Sequence, residues 1–180
     1  MLLSFILLPL ASALAAFAAN LEPRQTNTNA RIATIVSAAS QGVWRTYLEF
    51  MMERLAQGDL QRAETNVDGL INAYGSGADA LINVAVSSGS ATTIPTDVEI
   101  HTWFVVAVQQ TCTGLSGLST SNMPGVTAKF SDIDRNMSRM INGLDPKLPG
   151  TQELLKLFML DGRQFCDRIG FTATLAAMGF

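Results

Sequence analysis

Residues able to do acid–base, nucleophilic or metal chemistry are few in this chain. Its one imidazole is His101, with Asp97 and Glu99 a few residues before it. A catalytic histidine needs a nucleophile, a metal or an activated water against it and a third group to orient the ring. No such partner is specified. There is no G-x-S-x-G nucleophile turn, no phosphate-cradling glycine loop and no His/Glu pair at metal-ligand spacing. A His-Asp pair inside a cysteine-bearing helix, the arrangement of small secreted phospholipases, is also missing: Thr102 follows His101, and the nearest cysteine is Cys112. His101 is therefore expected on a helix surface. The chain reads as non-enzymatic, with no catalytic residue, cofactor or metal implied.

Two further residue types carry covalent chemistry. Cys112 and Cys166 are the only cysteines, and nothing around either has metal-ligand spacing. In an oxidising compartment such a pair is expected as a disulfide closing a loop of about 55 residues, which contributes about 4 kcal/mol in the chain-entropy model. The alternative is two buried apolar thiols. One sequon, Asn136-Met137-Ser138, makes Asn136 a candidate glycosylation site if its face is exposed.

The compartment is argued from the N-terminus. Residues 2–18 carry no charge and end in small residues, with Ala16-Phe17-Ala18 fitting the small-x-small rule for cleavage. Residues 1–18 are read as a signal peptide and 19–29 as a polar linker before a 30–180 domain. A signal anchor is the competing reading, since the stretch approaches the roughly 17–25 residues that span a bilayer. Pro9, the alanine-rich end and the lack of flanking basic residues favour cleavage and export. Pro23-Arg24 before Gln25 offers a second processing step, or simply part of a solvated linker. Residues 169–180 are too short, and lack the small-residue site and polar spacer, for a lipid-anchor signal.

Over all 180 residues, 12 Lys+Arg stand against 15 Asp+Glu, a net charge of −3, with 48% hydrophobic and 15% charged residues. That composition excludes disorder, and the scattered basic residues leave no footprint for nucleic acid or an anionic membrane surface.

The elements that must position any site are helical throughout. From about Ala30 to Gln57, Ile32, Ile35, Val36, Ala39, Val43, Tyr47 and Phe50 share a face. A second stripe runs from Leu60 through Val67, Leu70, Tyr74, Ala78 and Leu81 to Ala85 at three- and four-residue steps. Gly58-Asp59 breaks the two, and Asp59 can cap the second. Gly75 and Gly77 inside it predict a bend or a close helix contact. After a Ser/Gly/Thr-rich loop, Thr96 and Glu99 form a capping box opening a third helix through Ile100, Phe104, Val108, Leu115 and Leu118. A fourth runs from about Pro124 to Gly143, and a fifth from about Thr151 to Ala177. The expected fold is an all-α bundle of about five long amphipathic helices.

The inner faces of the second to fifth helices offer Leu70, Ile71, Tyr74, Phe104, Val108, Phe130, Met137, Met140, Phe158 and Phe165. Flexible thioethers and aromatic rings can line a pocket for a long apolar ligand, or simply fill a core. Burying eight methylenes yields roughly 6 kcal/mol before association costs, enough for micromolar binding of a fatty acid. Tyr74 or another buried hydroxyl is a candidate to orient its carboxylate.

The Gly58-Asp59 step before a long second helix, the Ile94-Pro95-Thr96-Asp97 entry to the third and Leu148-Pro149 before the last carry a family pattern. Over about Ile32 to Ala176 the chain resembles the fungal hydrophobic surface-binding protein and cell-wall galactomannoprotein family. The resemblance implies a secreted five-helix fold that takes fatty acyl chains between its helices or adsorbs to apolar surfaces. The chain departs from that family in its cysteine pair, its extra Phe and Met, and its lack of a Ser/Thr-rich tail, which points to free secretion rather than wall attachment. The expected partner is a fatty acid, another apolar ligand or an apolar surface. A solid-core protein that meets a cell-wall or host protein is the alternative.

Overall fold

The computed structural model of the protein describes residues 26–43, 48–118 and 123–180. The expected 1–18 leader, its cleavage site, the Pro23-Arg24-Gln25 step and most of the 19–29 linker lie outside these residues, as does Tyr47. Within them the α-helices are α1 (Asn29–Gln41), α2 (Glu49–Ala56), α3 (Leu60–Ile82), α4 (Asp97–Leu115), α5 (Pro124–Thr127), α6 (Phe130–Leu144), α7 (Thr151–Phe158), α8 (Arg163–Arg168) and α9 (Thr172–Ala177), with π-helical backbone at Gly42, Val43 and Leu48.

The second and third expected helices form as single elements. The α2–α3 break is a Schellman turn: Gly58 takes φ +73°, Gly58 N–H donates to Leu55 O and Asp59 N–H to Arg54 O. Asp59 then caps α3 through the Arg62 amide at 3.2 Å. The α3 stripe is buried at Ala63, Val67, Leu70, Tyr74, Ala78 and Leu81, while Leu60 and Ile82 at its ends stay exposed. At α4 the capping box closes as expected, with Thr96 N–H donating to Glu99 Oε2 at 2.8 Å and Glu99 N–H to Thr96 Oγ1 at 3.3 Å.

The other expected helices are shorter than the sequence pattern suggests. The first run contains α1 and α2, the fourth is broken into α5 and α6, and the fifth into α7, α8 and α9. Periodicity survives such breaks because a tight turn re-aims the next helix toward the same core. Gly170 shows how: it takes φ +74°, Phe171 N–H reaches Cys166 O at 2.9 Å, and Phe171 lands fully buried. The new N-terminus this creates is satisfied from α6, where the buried Asp134 carboxylate accepts from the amides of Ala173 and Thr174 at 3.0 and 2.7 Å. The domain also starts slightly earlier than expected. Asn29 is buried, donating to Asp97 Oδ1 at 2.6 Å and to Pro95 O at 3.1 Å. Thr28 donates to Ala85 O at 2.9 Å. The supposed end of the linker thus belongs to the helical domain.

One core unites the elements. α3 lies along α6 in parallel, with Gly75 facing Asn136 and Gly77 facing Met140. These glycines mark a close helix contact, one of the two outcomes the sequence predicts. α1 packs against both α3 and α4. The Cys112–Cys166 disulfide joins α4 to α8 with Cα atoms 4.8 Å apart and both residues buried.

Candidate functional site

The ten expected ligand-lining residues divide into three groups. Leu70, Tyr74, Phe104, Val108, Met137 and Met140 are all buried in the core. Ile71, Phe130 and Phe165 are half-buried and pack against it, Phe130 edge-on to Phe171 with ring centroids 5.9 Å apart. Phe158 is a correction: it is 58% exposed, because α7 ends at that residue and buries Leu155 and Met159 instead. Tyr74 cannot orient a ligand carboxylate. Its hydroxyl lies 2.8 Å from Thr111 Oγ1 and 3.2 Å from Ala107 O, and burial pushes its phenol well above the usual range.

Two other expectations change with burial. Asn136 is not on an exposed face: it is 7% exposed, donates to Asp132 O at 3.0 Å and accepts from Arg139 at 2.9 Å. Its Oδ1 also lies against Gly75, so a glycan on this side chain does not fit the folded domain. His101 is not on a helix surface either. It is 5% exposed, with Nε2 at 3.0 Å from Thr151 Oγ1, whose own hydroxyl donates to Leu148 O at 2.6 Å. Since that hydroxyl proton is committed, Nε2 is the donor and Nδ1 carries the lone pair, without a partner among the described residues. Burial lowers the imidazole pKa, outweighing the Leu148 carbonyl and the carboxylates of Asp97 and Asp145. His101 thus ties the start of α4 to the start of α7. The Asp97 carboxylate is taken by Asn29 and the Ser90 amide rather than by the ring.

The concave surfaces lie between helices, open to solvent. A groove of about 480 Å³ runs between α1 and α3, walled by Ile35, Ala38, Ala39, Ala73, Gly77 and Ala80. Gly77, in the wall of this groove, packs directly on the buried Met140, whose Sδ would stand 2.9 Å from a Cβ placed there. Asn72 and Ser76 also border a second depression, of about 480 Å³, containing Ile71, Asn136 and Arg139. Arg139 is paired there with Asp79. Across α1 a third groove, of about 470 Å³, is lined by Trp103 and Val106 of α4 with Ser37, Ser40 and Gln41. No three His, Cys, Asp or Glu side chains come together as metal ligands among the described residues.

Sequence reasoning passed over both walls of α1. Its Ala/Ser-rich composition is the signal that was available, since small residues on a packed helix leave shallow troughs on either side. Trp103 and Val106 were legible too, as apolar residues off the inner stripe of α4. No protein-family model matches the chain, and no curated protein matches it. No helix of the described residues is long and apolar enough to cross a membrane.

Proposed function

We propose that the chain is a secreted, non-enzymatic protein that binds a fatty acyl chain, or an equivalent apolar surface, through the outer faces of its helices read as five packed runs. The observation that carries this reading is the α1–α3 groove. Its walls are mostly apolar, with Thr34, Asn72 and Ser76 as the polar residues, and its volume of about 480 Å³ lies within the range of small-ligand sites. An acyl chain there meets Ile35, Ala38 and Ala73, and its carboxylate end reaches toward Arg139 through the border shared at Asn72 and Ser76. The disulfide between α4 and α8 is consistent with export, and the resemblance to surface-binding and wall proteins points the same way.

The filled interior supports the second reading, a solid-core protein that meets a cell-wall or host protein. Tyr74, Met137 and Met140 are each 0% exposed, and the acyl site is therefore placed on the surface rather than inside. Titration of the delipidated protein with oleate separates the two. Saturable uptake that falls about tenfold in Ala38→Trp, a loss of about 1.4 kcal/mol, supports the acyl reading. Ala38 is exposed, so helicity stays unchanged in that variant. Absence of saturable uptake, or equal uptake by Ala38→Trp, hands the function to the interaction reading.

A further inference from the structure

We infer that the groove between α1 and α4 binds a neutral hexose unit of a polysaccharide. It lies on the opposite flank of α1 from the acyl groove and goes beyond the acyl reading. Trp103, 40% exposed, and Val106, 41% exposed, give it an apolar wall. Ser37, Ser40, Gln41 and Gln110 give it hydroxyls and amides, and no charged side chain lines it among the described residues.

The hydrogen bonds at the groove leave recognition groups open. Ser40 Oγ donates to Trp103 O at 3.2 Å, and Gln41 Nε2 donates to Ser37 Oγ at 2.9 Å. That leaves Gln41 Oε1, the Ser37 hydroxyl proton and the Gln110 amide without a partner among the described residues. The open set contains both donors and acceptors, which is what a ring of hydroxyls needs, each hydroxyl being both at once. A carboxylate or phosphate would find no cation among the described lining residues to offset its desolvation. A purely apolar ligand would strand the amides and hydroxyls away from water. A neutral sugar satisfies both halves. Its ring C–H face rests on the negative π-face of the indole while its hydroxyls meet the amides. The volume of about 470 Å³ accommodates a hexose with its neighbours in the polymer continuing out of the open ends.

The test uses the full disulfide-bonded protein with three probes: hexasaccharides built from glucose, from mannose, and from a hexuronic acid. Saturation-transfer NMR and calorimetry should show saturable binding of a neutral hexamer with Kd near about 1 mM, as a single shallow subsite allows. Trp103→Ala should weaken it about tenfold or more, Trp103→Phe much less, and Gln110→Ala about three- to tenfold. Should Trp103→Ala lose helicity, Gln110→Ala decides alone. Ala38→Trp, in the acyl groove, should leave sugar binding unchanged, so the two readings fail separately. The inference is overturned if neither neutral hexamer saturates by about 10 mM, if the uronate binds as well as the neutral sugars, or if neither the Trp103 nor the Gln110 variant changes affinity.

Discussion

At the scale of single residues, burial decides what the chemistry can do. His101 is the clearest case, since its ring is enclosed and its Nδ1 has no hydrogen-bond partner among the described residues. With the folded pKa held below the ordinary value of 6.5, the unfolded chain binds the proton first as pH falls. Stability should therefore decline once the pH drops below about 6.5 and level off below the folded pKa. Urea titrations from pH 8 to pH 4, compared with His101→Gln, check this: the substitution should remove that part of the slope. Met140 offers a second test. A Cβ at Gly77 would meet its thioether at 2.9 to 3.0 Å, the flexible end of a side chain. Gly77→Ala gains about 1 kcal/mol of helix propensity and loses a similar amount to crowding, so its melting temperature should hardly move. Met140→Trp has no such outlet and should cost about 3 kcal/mol, measured by chemical denaturation.

At the scale of elements, turns set helix lengths that periodicity cannot. Gly58 and Gly170 occupy left-handed positions in Schellman turns, and neither has an atom within 4 Å of where a Cβ would sit. Alanine at either site would therefore lose stability through backbone conformation alone, about 1–2 kcal/mol. Equal unfolding midpoints for Gly170→Ala and the parent would refute that account of the α8–α9 break. The Gly58 break could be read in advance, because glycine followed by a capping Asp before a new apolar stripe is a local signal. The Gly170 break could not. There the receiving cap, Asp134, comes from α6, nearly forty residues away in sequence, and no local pattern reveals a cap of that kind.

At the scale of the whole molecule, the α4–α8 disulfide closes a sequence separation of 54 residues over a core that spans all the longer helices. Replacing both cysteines by serine should lower stability by about 4 kcal/mol in the chain-entropy model, less any relief of native strain. Reduction should give a similar loss, read by calorimetry with and without a thiol. The helical class, the starts of α3 and α4, the capping box and the cysteine pairing were all legible in the sequence, although the expected stripes run on to Ala85 and Leu118, past the ends of α3 at Ile82 and α4 at Leu115. Each rests on spacing along the chain or on residue types with strong local preferences. The location of a site was not legible. Leu70, Phe104, Val108, Met137 and Met140 have the same 3.6-residue spacing whether they face a cavity or one another, and only their packing shows that they fill the interior. The same limit explains Phe158, Asn136 and His101, whose exposure follows from where α7 stops, how closely α3 lies on α6, and which turn meets the start of α4. Periodicity fixes which way a side chain points around its own helix. Only the placement of neighbouring helices, set by small residues such as Gly75 and Gly77 and by caps across the fold, decides what it meets there.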